Sequence, residues 1–169
     1  MKKILAFLLL SLCCLTACTS PQKAVPKQPS YPFECAIQIT CPEIEAQAAL
    51  ICRSAASQTL EIRAPRELSG LLFNLEGETL TASYKGICFP LSEIGGQAVP
   101  AAKLLFEAIS TAYSTEKAGN EARLRQQKYS GSVSGVAFEM TFLPQAGTPG
   151  SLSFPDRQLT ISFKNFRFL

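Results

Sequence analysis

The chain has 169 residues, 47% hydrophobic and 17% charged, with seven cysteines, no tryptophan and no histidine. Lacking histidine, it lacks the usual general base of a Ser–His or Cys–His pair and the commonest zinc ligand. Asp156 is its only aspartate, which argues against a calcium loop or an aspartate dyad, and its 16 basic and 13 acidic residues leave a formal charge of only +3.

Lys2 and Lys3 precede an apolar run from Ile4 to Leu12 broken only by Ser11, the build of a secretory signal. A permanent membrane span needs about 20 apolar residues, more than this run supplies. Leu15-Thr16-Ala17-Cys18 then resembles the lipobox of bacterial lipoproteins: an aliphatic residue, two small ones and a cysteine. Neither Cys13 nor Cys14 has that context. The resemblance implies that residues 1–17 are a signal peptide and that Cys18 carries the lipid. The protein would then sit on the extracytoplasmic face of a membrane, the outer face of the cell membrane in a Gram-positive cell. Residues 18–32 contain Pro21, Pro26, Pro29 and Pro32 among polar residues and read as an extended tether. Losing Lys2 and Lys3 with the signal leaves 14 basic against 13 acidic residues, so the basic balance belongs to the leader and implies no nucleic-acid partner.

Residues 33–169 read as one domain. From Phe33 the apolar positions alternate through Cys35, Ile37, Ile39 and Cys41, a half-buried strand ended by Pro42-Glu43. Ile44–Arg53 and Ser57–Ala64 continue as strands. Leu71–Leu75 and Thr79–Tyr84 flank a Glu-Gly-Glu turn as a hairpin, and Ile87–Leu91 reads as a further short strand. The period changes over Val99 to Tyr113, where Leu105, Ala108, Ile109, Ala112 and Tyr113 recur at helical spacing, with Pro100 in the first turn. Leu104 and Phe106 lie off that face, so the helix is expected to be covered on more than one side. Arg123, Arg125 and Lys128 then form a basic cluster that reads as a solvated face. Three strands are expected to close the chain, over Val133–Phe142, Ser151–Phe154 and Leu159–Phe168. The order predicts an α+β domain: a strongly curved antiparallel sheet, an unclosed half-barrel, with one main helix over its concave face.

Glutamates at alternate positions, Glu43/Glu45 and Glu76/Glu78, sit near turns and read as solvated strand ends rather than an acid–base pair. Four cysteines remain in the domain: Cys35, Cys41, Cys52 and Cys88. Four thiols allow three complete pairings. A hairpin centred between Glu43 and Ile44 would set Cys35 opposite Cys52, a candidate disulfide, and Cys41 opposite Ala46. The alternative reading makes all four small apolar residues of the strands. The spacings contain no Cys-x-x-Cys knuckle, so no metal site is expected.

The stretches Ala64–Leu71, Gly77–Leu80, Tyr84–Gly86, Leu105–Ile109 and Gly147–Leu152 together resemble small uncharacterised lipoproteins of clostridial Gram-positive bacteria. These are similar in fold to the Lol-type lipoprotein carriers, the LolA, LolB and LppX-like proteins. The resemblance implies a curved, unclosed antiparallel sheet whose apolar interior can accept acyl chains, and it includes relatives that act through protein partners in spore-forming cells.

The expected function is therefore non-enzymatic and needs no cofactor: a membrane-tethered module binding an apolar ligand such as a lipid or a lipoprotein acyl chain. Phe73, Leu80, Phe138, Met140 and Phe142 are candidate lining residues. The alternative is an interaction lipoprotein with a filled core that binds a partner protein at the cell envelope.

Overall fold

A computed structural model describes residues 30–90, 98–116, 128–143 and 147–169. Ten strands follow in order: β1 (Phe33–Cys41), β2 (Ile44–Ser54), β3 (Ser57–Ala64), β4 (Leu72–Glu76), β5 (Thr79–Tyr84), β6 (Ile87–Pro90), β7 (Lys128–Val133), β8 (Val136–Phe142), β9 (Pro149–Phe154) and β10 (Leu159–Phe168). Helix α1 (Ala98–Glu116) lies between β6 and β7, and it is not long and apolar enough to cross a membrane.

All ten strands belong to one antiparallel sheet ordered β6-β5-β4-β3-β2-β1-β10-β9-β8-β7, open at β6 and β7. Nine adjacent pairs hold the sheet together, and eight of them join strands that follow one another in sequence; only β1 with β10 pairs distant segments. The expected class is what the structure shows: one unclosed antiparallel sheet with a single long helix among the described residues.

The curvature follows from what the ends of the sheet touch. Leu75 and Leu80 of the β4–β5 hairpin and Ser132 to Ser134 of the β7–β8 hairpin line one cleft against α1. Yet β5 and β7 are eight positions apart in the sheet, which at about 4.8 Å per strand is ~38 Å on a flat surface. The sheet must bend round the helix for both tips to reach it.

Alternation decides which residues fill the concave side. The buried row runs through Phe33, Cys35 and Ile37 on β1, Ala48, Leu50 and Cys52 on β2, and Leu60 and Ile62 on β3. It continues through Ile161 on β10, Leu152 and Phe154 on β9, and Phe138 and Met140 on β8. Leu104, Leu105, Phe106, Ala108, Ile109, Ala112 and Tyr113 of α1 are buried against it. Burying a large apolar side chain fully is worth about 1.5–3 kcal/mol, so this shared core is what joins helix to sheet. Leu104 and Phe106 are buried along with the main stripe, as a helix wrapped by a curved sheet requires.

The structure departs from the sequence reading most in the last third of the chain. The expected strand over Val133–Phe142 is β8 with the turn before it, and β7 (Lys128–Val133) precedes it as a further strand: four strands, not three, close the chain. Ser134 and Gly135 adopt φ of 49° and 75°, the left-handed pair that a two-residue hairpin turn demands. Gly131 sits on β7 where a Cβ would come within 2.9 Å of the Phe138 ring, so the strand needs glycine there.

Strand β10 keeps its expected bounds, Leu159–Phe168, but its alternation is broken. Phe163 and Phe166 are three residues apart, a spacing that strict alternation would send to opposite faces. Asn165 takes φ of 53°, and the register with β1 jumps from Ala36↔Lys164 to Glu34↔Arg167. One extra residue on β10 forms a bulge and resets the alternation. Phe166 thereby stacks on Phe33, ring centroids 4.6 Å apart. Asn165→Val, a branched residue in left-handed backbone, is expected to lower stability by about 1–2 kcal/mol. Asn165→Gly should be nearly neutral, as urea unfolding midpoints would reveal.

Candidate functional site

The cleft at the open seam has a volume of about 790 Å³. Three hairpin turns and the helix build it. Ala55 and Ala56 come from the β2–β3 turn, Gly77 and Glu78 from the β4–β5 turn, and Ser132, Val133 and Ser134 from the end of β7 and its turn. Lys103, Phe106, Glu107, Ser110 and Thr111 come from one face of α1. Leu75, Leu80, Phe106 and Val133 give it an apolar surface beside the hydroxyls of Ser110, Thr111, Ser132 and Ser134. The charged rim is largely self-compensating. Lys103 Nζ lies 3.7 Å from Glu107 Oε1 one helical turn away, and Ser134 Oγ donates to Glu107 Oε2 at 2.7 Å. That last bond ties the β7–β8 turn to the helix.

The helix face of the cleft is fixed from below by a polar residue in an apolar row. Gln58 shares the inward row of β3 with Leu60 and Ile62 and is fully buried. Its Nε2 lies 3.0 Å from Ala55 O, 3.2 Å from Phe106 O and 2.7 Å from Ser110 Oγ. Ser110 Oγ donates in turn to Ala55 O at 2.8 Å, and Cys52 Sγ donates to Gln58 Oε1 at 3.5 Å. The network ties α1 to the β2–β3 turn at a defined height. Sequence reasoning passed over Gln58, although an amide at the inward position of an otherwise apolar alternation is the signal that marks it.

Of the five candidate lining residues, Leu80 lines the cleft. Phe73, Phe138 and Met140 are buried in the main core, and Phe142 is half-buried against it. Phe138 packs on Phe154, with centroids 6.1 Å apart, rather than facing open space. The structure therefore does not gather the five into one site. Leu105, Phe106 and Ile109 of α1 are buried in the same core. Of the paired glutamates, Glu45 accepts from Gln38 at 2.6 Å and Glu76 from Ser57 at 3.0 Å, both on the surface. Cys18, the expected signal and most of the tether fall outside the described residues, as do Arg123 and Arg125. Lys128 opens β7 and pairs with Glu139 at 2.8 Å.

The hairpin of β1 and β2 is centred one residue earlier than expected. Cys41 pairs with Ile44 across a Pro42-Glu43 turn, Cys35 faces Leu50, and Cys52 faces Phe33. The direct opposition of Cys35 and Cys52 is thus absent, and Cys35, Cys41, Cys52 and Cys88 are all free thiols. Burial, then the Glu34 carboxylate, pushes the Cys35 thiol up to about 12. Burial, then Cys35, pushes Cys52 up as well. Tyr31 is raised too, by burial first and by Cys52, with the Ser110 hydroxyl pulling the other way. Among the described residues no group of three or more His, Cys, Asp or Glu side chains comes together to hold a metal ion.

These thiols stay protonated in the fold at a pH where the unfolded chain, with thiols near 9.0, already releases its protons. The native state then binds more protons than the unfolded one, so stability must fall as pH rises from about 9 towards 12. A Cys35→Ala variant should lose part of that slope in urea titrations run at stepped pH. At pH 8, an alkylating reagent should label the exposed Cys88 first and reach Cys35 and Cys52 only on unfolding; rapid native labelling of all four would contradict their burial.

No protein-family model matches the sequence, and no curated protein matches it. Among solved structures, an uncharacterized conserved protein of Thermus thermophilus is similar at 13% identity and a TM-score of 0.48, over 83% of this chain and 80% of that one. A LolA superfamily protein of Nitrosomonas europaea is similar at 8% identity and a TM-score of 0.41, over 87% of this chain and 90% of that one.

Proposed function

We propose that the chain is a non-catalytic lipoprotein module of the cell envelope, tethered to a membrane through lipid on Cys18, that holds an apolar ligand such as a lipid or lipoprotein acyl chain in the seam cleft. The observation that carries this reading is the cleft itself. Its volume of about 790 Å³ lies within the roughly 300–1,000 Å³ of small-molecule sites. Leu75, Leu80, Phe106 and Val133 offer an apolar chain its contacts, while the serine and threonine hydroxyls beside them suit a polar head. The ligand would enter between the β4–β5 and β7–β8 hairpin tips that line the cleft.

Native mass spectrometry of the chain purified from membranes, read for a co-purifying lipid, tests the binding. Leu80 is only half-buried, so Leu80→Arg should leave the fold intact. It should weaken uptake of a fluorescent fatty acid at least about tenfold, a loss of roughly 1.4 kcal/mol. Unchanged uptake would remove the cleft as the site. Membrane attachment has its own readout: Cys18→Ser should move the protein out of the membrane fraction.

One observation favours a second reading. The concave side is filled by Phe138, Met140, Phe154 and the helix residues above them, as in an interaction module that presents its surface to an envelope protein. A chain that carries no lipid but holds one stable protein companion through mild membrane extraction would support that reading over the first.

A further inference from the structure

We infer that the aromatic tip formed by Phe166, Phe168 and Leu169 is a second membrane contact, seated in the lipid surface beside the N-terminal anchor. The inference rests on the lipid anchoring proposed above, and it concerns a surface distinct from the seam cleft.

Three observations meet at this tip. The first is a run of rings reaching outward from the helix. Tyr113 of α1 packs on Tyr31 at 4.9 Å and on Phe33 at 5.4 Å; Phe33 stacks on Phe166 at 4.6 Å, and Phe166 meets Phe168 edge-on at 5.3 Å. The second is exposure. Phe168 is 37% exposed and Leu169 58%, although the bulge at Asn165 places Phe168 on the sheet's apolar side. The third is position. Phe168 pairs with Phe33, and Leu169 N donates to Pro32 O at 3.1 Å. The exposed apolar residues therefore sit where the N-terminal segment joins the domain.

That junction argues for a lipid surface as the occupant. Ser30, the first described residue, lies 12 positions after Cys18, so even a fully extended tether keeps the junction within about 40 Å of the acylated cysteine. The tether's root is the part of the domain most often brought to the bilayer. An apolar contact beside the anchor adds to the membrane affinity that the lipid supplies. An aromatic ring with an adjacent leucine suits the boundary between headgroups and acyl chains.

Among the described residues, the basic side chains near the tip are engaged by neighbours on β1. Arg167 bonds to Glu34 across the β1–β10 pair, and Lys164 donates to Gln38 at 2.8 Å. The tip's own contribution is thus expected to come from its apolar side chains.

The absence of tryptophan from the sequence makes a single-site probe available. The full acylated chain carrying Phe168→Trp is mixed with phosphatidylcholine vesicles, with and without bromine on the acyl chains, and Ile87→Trp on the β6 edge serves as control. Trp at 168 should shift to the blue and be quenched at least about twofold by the brominated lipid, as expected of a ring some 5–10 Å into the interface. Trp at 87 should do neither. A chain that floats with the vesicles while position 168 stays unquenched, or while both positions are quenched alike, overturns the tip contact and leaves the anchor standing. A chain that does not float overturns both. In a second arm, Phe168→Ser with Leu169→Ser should speed release from vesicles about tenfold without changing fatty-acid uptake by the cleft; an unchanged release rate would likewise overturn the contact.

Discussion

Replacing Phe33 with alanine is expected to destabilise the domain by about 4 kcal/mol, towards the upper end of what truncating a buried aromatic costs. Phe33 is fully buried and lies on β1, which pairs with β2 on one side and β10 on the other. Its ring touches Tyr31, Tyr113 and Phe166, so one side chain joins the N-terminal entry, the helix and the last strand. These neighbours are held by different elements and cannot all collapse into the space left behind. The alanine variant therefore loses transfer energy, ring contacts and packing density together. Phe33→Leu keeps much of the volume and should cost about 1–2 kcal/mol. Urea unfolding followed by near-ultraviolet circular dichroism would read both. A loss below about 1 kcal/mol for alanine would mean that the cluster contributes little and that β1 is held by its ladders alone.

Gln58→Ala should come next, at about 3 kcal/mol. The substitution opens a cavity and strips the amide donor from Ala55 O, Phe106 O and Ser110 Oγ. A buried acceptor left without its donor costs about 1–3 kcal/mol. Ser110→Ala removes one acceptor along with its own bond to Ala55 O and should cost less. Because the two residues share partners, a double-mutant cycle should show a coupling of about 1 kcal/mol or more. Gln58→Leu is the discriminating variant. It fills the space but cannot donate, so it should remain destabilised and should speed amide exchange in the part of α1 that includes Phe106 and Ser110. A leucine variant as stable as the parent, with unchanged exchange, would make the network incidental.

The alternation of Phe33, Cys35 and Ile37 was enough to place β1, and the helical spacing from Leu105 to Tyr113 was enough to place α1 and its covered faces. Strands β3, β5 and β10 begin and end where the sequence put them, because proline, glycine and lysine-glycine breaks bound them. The β7–β8 hairpin was harder to see. Ser134-Gly135 interrupts an apolar run with no proline, and glycine at position 131 looks like weak strand character until Phe138 is seen lying against it.

The register of β1 and β2 was out of reach for a similar reason. Moving the turn by one residue keeps every inward residue inward and changes only which residues face each other, so burial periodicity is blind to it. Where the candidate lining residues sit is a question of depth. Phe73, Phe138 and Met140 sit on the concave side as expected, but whether a concave side is hollow or filled depends on how closely the helix approaches. Gln58, at the inward end of β3, sets that height, and its sequence neighbours carry no hint of the helix it meets.

The order of strands has a consequence for how the chain acquires its shape. Residues 33–90 form a six-strand meander and residues 128–168 a four-strand one, each assembled from pairings between sequence neighbours. Such local contacts close small loops and form early and fast. The union of β1 with β10 is different: Phe33 must find Phe168 across nearly the whole domain. The two meanders thus resemble two pages that can each be written independently, with the β1–β10 ladder as the binding. Phe33 and Phe166 stand at that binding, and the time the chain spends with both strands unpaired sets its exposure to pairing with the wrong neighbour.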